Sequence, residues 1–341
     1  MVFKQKLIKR LKKRVGTQNV ELFSSCRNAI FCLIKMLDFK KEDEVIVQSF
    51  ICDTIPQTVN EAGATAIAVD VDESTYNLSA EKIKKHLTKN TKAVIFVHTY
   101  GNPTGIHEVK ALCKEHNLIL IEDVAQALGA KHLGKPVGSI ADYAVYSLTK
   151  QLVNIGGGAM FSNNDISKAA EIRDQLHKPA RAFIDYPKRL IASLYDGYGF
   201  IPSKWMIDYA RNRVDLKLVL ALDRHFKCSG VEAFLSLIQL YLLDSSIKRR
   251  KRNFEYIQKY VKTQEIETTA DSAYTYLSFR FPNKEVRDLA VKDNFYFLPP
   301  WKGTAIGDKL IFAPNNPYFP NFIIRGFCKS YRKAFNQFNS K

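Results

Sequence analysis

The sequence predicts an α/β protein in which a mostly parallel sheet, covered by helices on both faces, forms a large domain. A smaller α/β domain follows at the C-terminus. Short runs rich in β-branched and aromatic residues recur between residues 45 and 163, and helical patterns separate several of them. These runs are apolar throughout instead of alternating, which is typical of parallel strands buried on both faces.

The predicted elements of the large domain begin with two helices. A short basic helix is expected at 4–14, and a helix with one buried face at 28–37. The strands and the helices between them then follow from the runs described above. We expect strands at 45–50, 65–71, 93–99, 118–124, 143–148 and 159–163, and helices at 79–87, 107–116 and 165–177.

The second half of the chain is less regular. Residues 180–225 are rich in aromatic and basic side chains, and within them 181–213 is either a packed insertion or a helix on a membrane surface. A long helix is predicted from Ser229 to about Tyr260, with a smaller α/β layer after it. We therefore place a large domain at 1–228 and a small C-terminal domain at 229–341, joined by the long helix.

Composition and charge narrow the function classes. Of the 341 residues, 46% are hydrophobic and 12% aromatic, enough for a full core. The formal net charge of +17 has three interpretations: solvated lysines without a special role, an anionic small substrate such as a phosphosugar or nucleotide, or an anionic membrane surface. Nucleic acid is not favoured, because the sequence has no helix-turn-helix, zinc-finger or RNP motif.

Cysteine usage and hydropathy predict a cytoplasmic protein without a bound metal. The cysteines are scattered without a CxxC pair, which is typical of free thiols in a reducing compartment. No apolar run approaches the ~18–20 residues of a membrane span. The basic N-terminus is not followed by the apolar segment of a signal peptide.

Polar side chains follow several of the predicted strands. His98, Asp123, Ser147 and Lys150 come at or just after strand ends, and Gln126 lies one turn beyond Asp123. Each has an ordinary structural explanation, since Asp123 could cap a helix and His98 could be a satisfied core histidine. Ligands of open parallel sheets bind at the carboxyl ends of the strands, so the set together favours a binding site.

The chemistry of this set suits pyridoxal phosphate. A lysine in a partly dry cleft forms a Schiff base with an aldehyde, here Lys150. The cofactor also needs an acid at its ring nitrogen, which Asp123 can supply. Ser147 and the predicted helix N-terminus at 25–28 can bind its phosphate. Glycines 156–158 would let the backbone pass close to the cofactor.

The chain resembles the DegT-type, PLP-dependent sugar aminotransferases, a branch of the fold-type I PLP enzymes. The matching stretches are SCRNAI (25–30), DEVIVQSF (43–50), EAGATAIAVDVDESTYNLS (61–79), VHTYGNPTG (97–105), LILIEDVAQALGAKHLGKPVGSIADYAVYSLTK (118–150) and GGGAMFSNN (156–164). EDVAQALGA is the most specific, because it fixes a carboxylate and an amide three residues apart. A weaker match covers 229–254. Taken together, the matching stretches imply the fold-type I fold.

The resemblance also implies roles for individual residues. The catalytic set would be Lys150 as the Schiff-base lysine and proton shuttle, Asp123 at the pyridinium nitrogen and His98 near the ring edge. Cofactor binding would extend to further residues, with Gln126 on the phenolic oxygen or phosphate side and the phosphate held by Ser147 and the backbone at Cys26–Arg27. The complete cofactor set is Lys150, Asp123, Gln126, Ser147, Cys26, Arg27, Cys52 and His225.

Three departures from the family pattern matter. Cys52 stands where many members have an aromatic residue stacked on the ring, which leaves Phe50 as a substitute. Ser147 lies three residues before the lysine, whereas the family serine lies five before it. His225 falls near an asparagine that the family contributes from the partner subunit.

The implied function is transfer of an amino group from an amino acid, most plausibly glutamate, to a keto or aldehyde sugar, in amino-sugar or surface-polysaccharide biosynthesis. The acceptor would be linked to a nucleotide, and the enzyme would be a homodimer. Peripheral association with a membrane is a further interpretation of the charge. Two alternatives stay open: dehydration chemistry, in which relatives replace the lysine, and a non-catalytic relic that binds or regulates.

Overall fold

The computed structural model describes residues 2–151, 154–177, 226–261, 268–269, 271–293, 306–315, 317 and 321–339. A seven-stranded sheet forms the centre of the fold. Its strands are β1 (Asn19–Phe23), β2 (Glu44–Gln48), β3 (Thr65–Val69), β4 (Thr91–Val97), β5 (Ile119–Asp123), β8 (Tyr143–Ser147) and β9 (Gly158–Ser162). The short strands β6 (Lys131–His132) and β7 (Lys135–Pro136) form a separate hairpin.

The strand order is β1-β9-β8-β5-β4-β2-β3, and β3, β2, β4, β5 and β8 run parallel. This confirms the mostly parallel sheet. Strand β9 is antiparallel to both β8 and β1. A parallel neighbour of β8 would require a long crossover, whereas β9 begins shortly after β8 ends. Lys150 lies in this β8–β9 connection.

Helices cover both faces of the sheet, as the apolar strands predict. Their bounds are α1 (Val2–Val15), α2 (Cys26–Met36), α3 (Thr54–Glu61), α4 (Ala80–Lys84), α5 (Ile106–Glu115) and α6 (Ser167–Leu176). On one face α2, α3 and α6 bury Ile30, Val59 and Ala169. On the other face α1, α4 and α5 bury residues such as Leu11 and Val109.

Helix α7 (Gly230–Tyr260) follows as predicted. A capping box starts it, in which the side chains of Ser229 and Glu232 each bond the other's backbone N–H. Within the described residues no single helix is long and apolar enough to cross a membrane. By length and composition alone, the halves Gly230–Leu240 and Leu243–Tyr260 pass that test only when taken together, and they are bent by 61°.

The second layer predicted for the C-terminal region is present among the described residues. It contains β10 (Tyr276–Arg280), α8 (Lys284–Asp293), β11 (Leu310–Pro314) and α9 (Asn321–Asn339), with β10 and β11 antiparallel. The start of α7 packs in the large core through Leu240 and Leu243, and its end packs in the small core through Ile257. The proposed boundary at residue 228 stays a prediction.

Besides the short hairpin strands β6 and β7, strand β1 and helix α3 were not predicted from the sequence. Strand β1 has five residues, and its pairing with β9 gives it the hydrogen bonds that a short run does not signal. Helix α3 contains a proline and has no side-chain hydrogen bond at its N-cap. Segment 180–225, including His225 and the stretch 181–213, lies outside the described residues.

Candidate active site at the carboxyl edge of the sheet

Asp123 and Ser147 lie on the same face of the sheet, at the ends of neighbouring strands. Asp123 ends β5 and pairs with Val145 of β8, while Ser147 ends β8. Residues two apart on a strand point to the same face, so Ser147 faces the same way as Val145. Val145 packs in the core beneath α2, which identifies the face that carries both polar side chains.

The N-terminus of α2 meets this edge of the sheet. Ser25 is the N-cap, and its hydroxyl accepts the N–H of Asn28 at 3.1 Å. Gly158 pairs with Ser147 on one side and with Phe23 on the other. A Cβ atom at Gly158 would lie 2.3 Å from the carbonyl carbon of Ser25 and 2.5 Å from the nitrogen of Cys26. Only glycine permits this contact, so the helix end, with its positive dipole, lies beside Ser147.

Asp123 is a buried acid whose pKa is affected by the charge of a lysine. Its side chain is 5% exposed and accepts the N–H of Ala125 at 2.9 Å. Burial raises the pKa of Asp123, whereas the hydrogen bond and the charges of His98 and Lys150 oppose that rise. The Lys150 side chain is exposed. An acid and an amine therefore meet at the sheet edge, the amine on the open side.

The thiol of Cys26 interacts electrostatically with both of these groups. Burial raises the pKa of its thiol well above the ordinary value; the charge of Asp123 raises it further and that of Lys150 lowers it. Electrostatic interactions therefore connect side chains of α2, β5 and the β8–β9 connection, three elements on which the sequence analysis placed candidate cofactor residues.

Buried polar contacts hold the segment that follows Lys150. Gln151 is 5% exposed, and its side chain accepts the N–H of Leu128 at 2.7 Å and donates to the carbonyl of the same residue. Arg250 of α7 donates to the carbonyl of Gln151 at 3.1 Å. Asn154 donates to the Glu232 carbonyl at 2.9 Å. The sequence analysis missed these positioning residues, because their partners lie far away along the chain.

His98 lies apart from the open side of the site. Its ring is fully buried, and Nε2 is 2.9 Å from Oε2 of Glu122. Adjacent strand residues point to opposite faces, so Glu122 and its partner lie behind the face that carries Asp123. His98 still acts on Asp123 through its charge. The structure places His98 behind the acid, and its predicted place near the ring edge stays a prediction.

Glu122 also fixes a loop. Its carboxylate accepts the backbone N–H groups of Gly138, Ile140 and Ala141, each at 2.8 Å. Burial alone would raise the pKa of Glu122, but the bonds from His98 and from the backbone outweigh it and lower the pKa. The sequence analysis assigned no role to this acid, although a charged residue inside an apolar strand marks an unusual position.

The remaining predicted residues lie around this centre. Gln126 accepts the N–H of Tyr100 at 2.8 Å with its side chain. Cys52 is exposed before α3, its Sγ 3.2 Å from the Thr54 hydroxyl. Burial lowers the pKa of Arg27, and the charges of Glu61 and Cys52 raise it, so Arg27 and Cys52 are neighbours.

Phe50, which the sequence analysis offered as a substitute for the missing aromatic residue, occupies other surroundings. Phe50 is fully buried and packs against the rings of Tyr76 and Tyr100, so it contributes to an aromatic core. The backbone carbonyl of Phe226, the residue after His225, accepts the N–H of Ser24 at 3.0 Å. Lys227 lies 3.4 Å from Asp174 of α6.

The residues present fit pyridoxal phosphate. The fit rests on the buried carboxyl beside an exposed amine, and on the helix end that Gly158 brings against Ser147. Ser147 Oγ lies 3.0 Å from the hydroxyl of Thr149, so two hydroxyls stand at this strand end. The acid, the amine and the hydrogen-bond donors that can bind an anion are thus contributed by elements that share one face of the sheet.

Comparisons with known proteins agree with this chemistry. A family model described as the DegT/DnrJ/EryC1/StrS aminotransferase family matches residues 3–291. GDP-perosamine synthase of Caulobacter vibrioides is 39% identical over 132 residues, which are 38% of this chain and 36% of that protein. Lipopolysaccharide biosynthesis protein RfbH of Salmonella typhimurium is 28% identical over 305 residues, 83% of this chain and 64% of the relative. The matched part of the chain spans less than two thirds of either relative.

Solved structures share the fold. The aminotransferase TlmJ from Streptoalloteichus hindustanus matches with a TM-score of 0.78 at 18% identity, covering 99% of this chain and 92% of that chain. The likeness confirms the α/β fold that the sequence resemblance implied.

Proposed function

The chain belongs to the DegT/DnrJ/EryC1/StrS aminotransferase family, and from this we propose that it is a pyridoxal-phosphate-dependent aminotransferase. It moves an amino group from an amino acid, most plausibly glutamate, to a keto or aldehyde sugar. The observation that carries the proposal is the pair formed by the buried Asp123 and the exposed Lys150, whose charges interact at the edge of the sheet.

Each residue of the site has a task in this proposal. Pyridoxal phosphate, when bound, supplies an aldehyde for the lysine and an electron-accepting ring. Lys150 would hold the aldehyde carbon through its amine, and as a free amine it would move a proton at the substrate carbon. Asp123 would hold the ring nitrogen protonated, and the contact would stabilise its own ionised form.

Binding of the phosphate is assigned to the other half of the site. The amino end of α2 at Cys26 and Arg27 provides backbone N–H groups and a positive dipole. Ser147 adds a hydroxyl from the neighbouring strand. The side chain of Gln126 accepts the N–H of Tyr100 and in this way positions the backbone that leads to Asn102. His98 supports Asp123 from behind, through its charge and through Glu122.

The acceptor sugar is proposed to be linked to a nucleotide. The support is the formal net charge of +17, which attracts a multiply negative substrate, together with relatives whose names refer to GDP-perosamine and lipopolysaccharide. We place the reaction in the cytoplasm and in amino-sugar or surface-polysaccharide biosynthesis. We also propose a homodimer, in which His225 and Cys52 complete the cofactor sites.

The proposal is tested by locating the cofactor on the chain. The purified protein is incubated with pyridoxal phosphate, reduced with borohydride, digested and analysed by mass spectrometry. The label is expected on the peptide that contains Lys150 and is lost in Lys150→Ala, while the matched variant Lys168→Ala, on the exposed surface of α6, keeps it. A label that stays in Lys150→Ala would refute the assignment.

Transamination is tested separately, by visible absorption spectroscopy. Glutamate is expected to change the visible absorption band of the holoenzyme, and a nucleotide-linked keto sugar is expected to restore it. A band that does not respond to any amino donor would leave a binding protein as the better interpretation. Sedimentation velocity of the holoenzyme tests the dimer, which a stable and active monomer would exclude.

A further inference from the structure

Helix α1 carries a row of exposed cations. Lys6, Lys9 and Lys13 are exposed and share one face of the helix, since residues three and four apart are neighbours. The helix contains no acidic residue. Its opposite face is buried through Leu7 and Leu11, so the helix is fixed on the large domain with its lysines outward.

A row of exposed apolar side chains lies on the first half of α7. Val231, Phe234, Ile238 and Tyr241 are 54%, 40%, 47% and 63% exposed. Their spacing places them on one face of the helix. Apolar side chains exposed singly are ordinary, but a continuous row of this kind marks an interaction surface.

The two rows lie side by side. The rings of Phe3 and Phe234 are 4.9 Å apart, and the Arg10 guanidinium lies 3.5 Å from the ring centre of Tyr241. Further along, Arg14 forms an ion pair with Asp244. The contacts run in the same order along both helices, so α1 and α7 are parallel neighbours and the lysines border the apolar row along its length.

The acidic residues of this part of α7 do not oppose the lysines. The sequence from Gly230 to Asp244 contains two acids. Glu232 is 2% exposed and caps its own helix, and Asp244 is bound to Arg14. Among the described residues of α1 and the first half of α7, the surface therefore presents apolar side chains and positive charge together.

We propose that this surface, Lys6, Lys9 and Lys13 together with the apolar row of α7, docks the protein onto a membrane that contains anionic lipids. Apolar side chains that enter the interface, bordered by lysines that contact headgroups, are the pattern of peripheral membrane helices. The inference does not depend on transamination chemistry, because no residue of the proposed active site belongs to the surface.

A second copy of the chain is the less suitable occupant. A two-fold interface joins the same patch of both subunits, so a second copy would bring the six lysines of both rows into one interface without adding an acid from this patch. Like charges brought together in this way are repulsive. An anionic surface satisfies both rows at once, and for this reason we assign the lipid.

The experiment is co-sedimentation of the full chain with vesicles. Pure phosphatidylcholine vesicles are compared with vesicles that also contain phosphatidylglycerol, at low and at high salt. Binding is expected only to the anionic vesicles and is expected to weaken with salt. The triple variant Lys6→Glu, Lys9→Glu, Lys13→Glu is expected to bind at least about a hundredfold more weakly.

Two further variants separate the explanations. Lys84→Glu, Lys89→Glu, Lys114→Glu makes the same change in net charge at exposed lysines outside α1 and α7, and it should keep most of the binding. Val231→Ser with Ile238→Ser should weaken binding about tenfold or more while the protein stays folded, because both side chains are exposed.

Three results would overturn the assignment. Equal binding to neutral and anionic vesicles would exclude recognition of charge. Equal losses in the two lysine triples would reduce the effect to net charge. Absence of vesicle binding, with the Val231 and Ile238 variant sedimenting as a smaller species in solution, would assign the surface to a second copy. The labelling of Lys150 is a separate measurement, so failure here leaves the proposed function standing.

Discussion

Substitution of Gly158 by alanine is the sharpest test of how the site is assembled. The added Cβ would lie 2.3 Å from the carbonyl carbon of Ser25, 2.4 Å from its oxygen and 2.5 Å from the nitrogen of Cys26. All three are backbone atoms, so no side-chain rotation relieves the contact. Strand β9 and the amino end of α2 must move apart.

The size of the effect follows from these distances. Ordinary van der Waals contact begins near 3.4 Å, so the shortest contact of 2.3 Å requires a separation of about 1 Å. Overpacking of this kind costs about 1–3 kcal/mol. The movement also strains the bond from the Gly157 N–H to the Ser24 carbonyl, worth about 1 kcal/mol. We therefore expect a loss of about 2–4 kcal/mol in the free energy of unfolding.

Function is expected to fall by more than stability alone explains. A displacement of about 1 Å at a positioning element can cost about a hundredfold in rate. Gly158→Ala is expected to lower the urea midpoint by about 1 M and to weaken the affinity for pyridoxal phosphate, measured by fluorescence titration below the unfolding transition.

Gly326→Ala is the matched control for this test. Gly326 lies inside α9 and has no atom within 4 Å of an added Cβ, so alanine should stabilise the helix by about 0.5–1 kcal/mol. A Gly158→Ala protein with the wild-type urea midpoint and cofactor affinity would show that α2 does not depend on this contact.

Three other substitutions test the buried polar groups. Glu122→Gln is expected to destabilise the protein at neutral pH. Because the folded pKa of Glu122 is lowered, this difference should shrink as pH falls below about 4; urea curves that keep a constant gap from pH 7 to acid would contradict it. Asn154→Ala leaves the Glu232 carbonyl and the Ser236 hydroxyl without their donor, so a loss of about 1–3 kcal/mol is expected in urea unfolding, and no change would rule out the anchor. Asp123→Asn should keep the borohydride label on Lys150 yet slow transamination by at least about a hundredfold in stopped-flow absorbance; wild-type rates would exclude the acid's role.

The strands and the central pair of the site could be predicted because their signals are local. Apolar runs identify β4, β5 and β8, and the residues that follow them reach one edge whatever the rest of the chain does. Asp123 and Lys150 were found in this way. The start of α7 near Ser229 was predicted from its helical pattern too, and the structure shows a capping box with Glu232 there.

What could not be predicted depends on side-chain direction and on long-range contacts. His98 and Asp123 both follow apolar strands, but the fold directs His98 toward Glu122 and leaves only Asp123 on the α2 face. Contacts such as Gln151 with Leu128 join residues far apart in sequence. A sequence read residue by residue contains no sign of that pairing.

The short return from β8 to β9 places Lys150 at the same edge of the sheet as Asp123. A parallel strand after β8 would need a crossover of a dozen or more residues. The direct return to antiparallel β9 leaves Lys150 in a connection that Gln151 anchors to the body of the protein. The same return places Gly158 opposite Ser147 and against Ser25, so one chain reversal aligns the amine, the hydroxyl and the helix end. The acid at Asp123 comes from the next strand inward, and it needs no further element to join them.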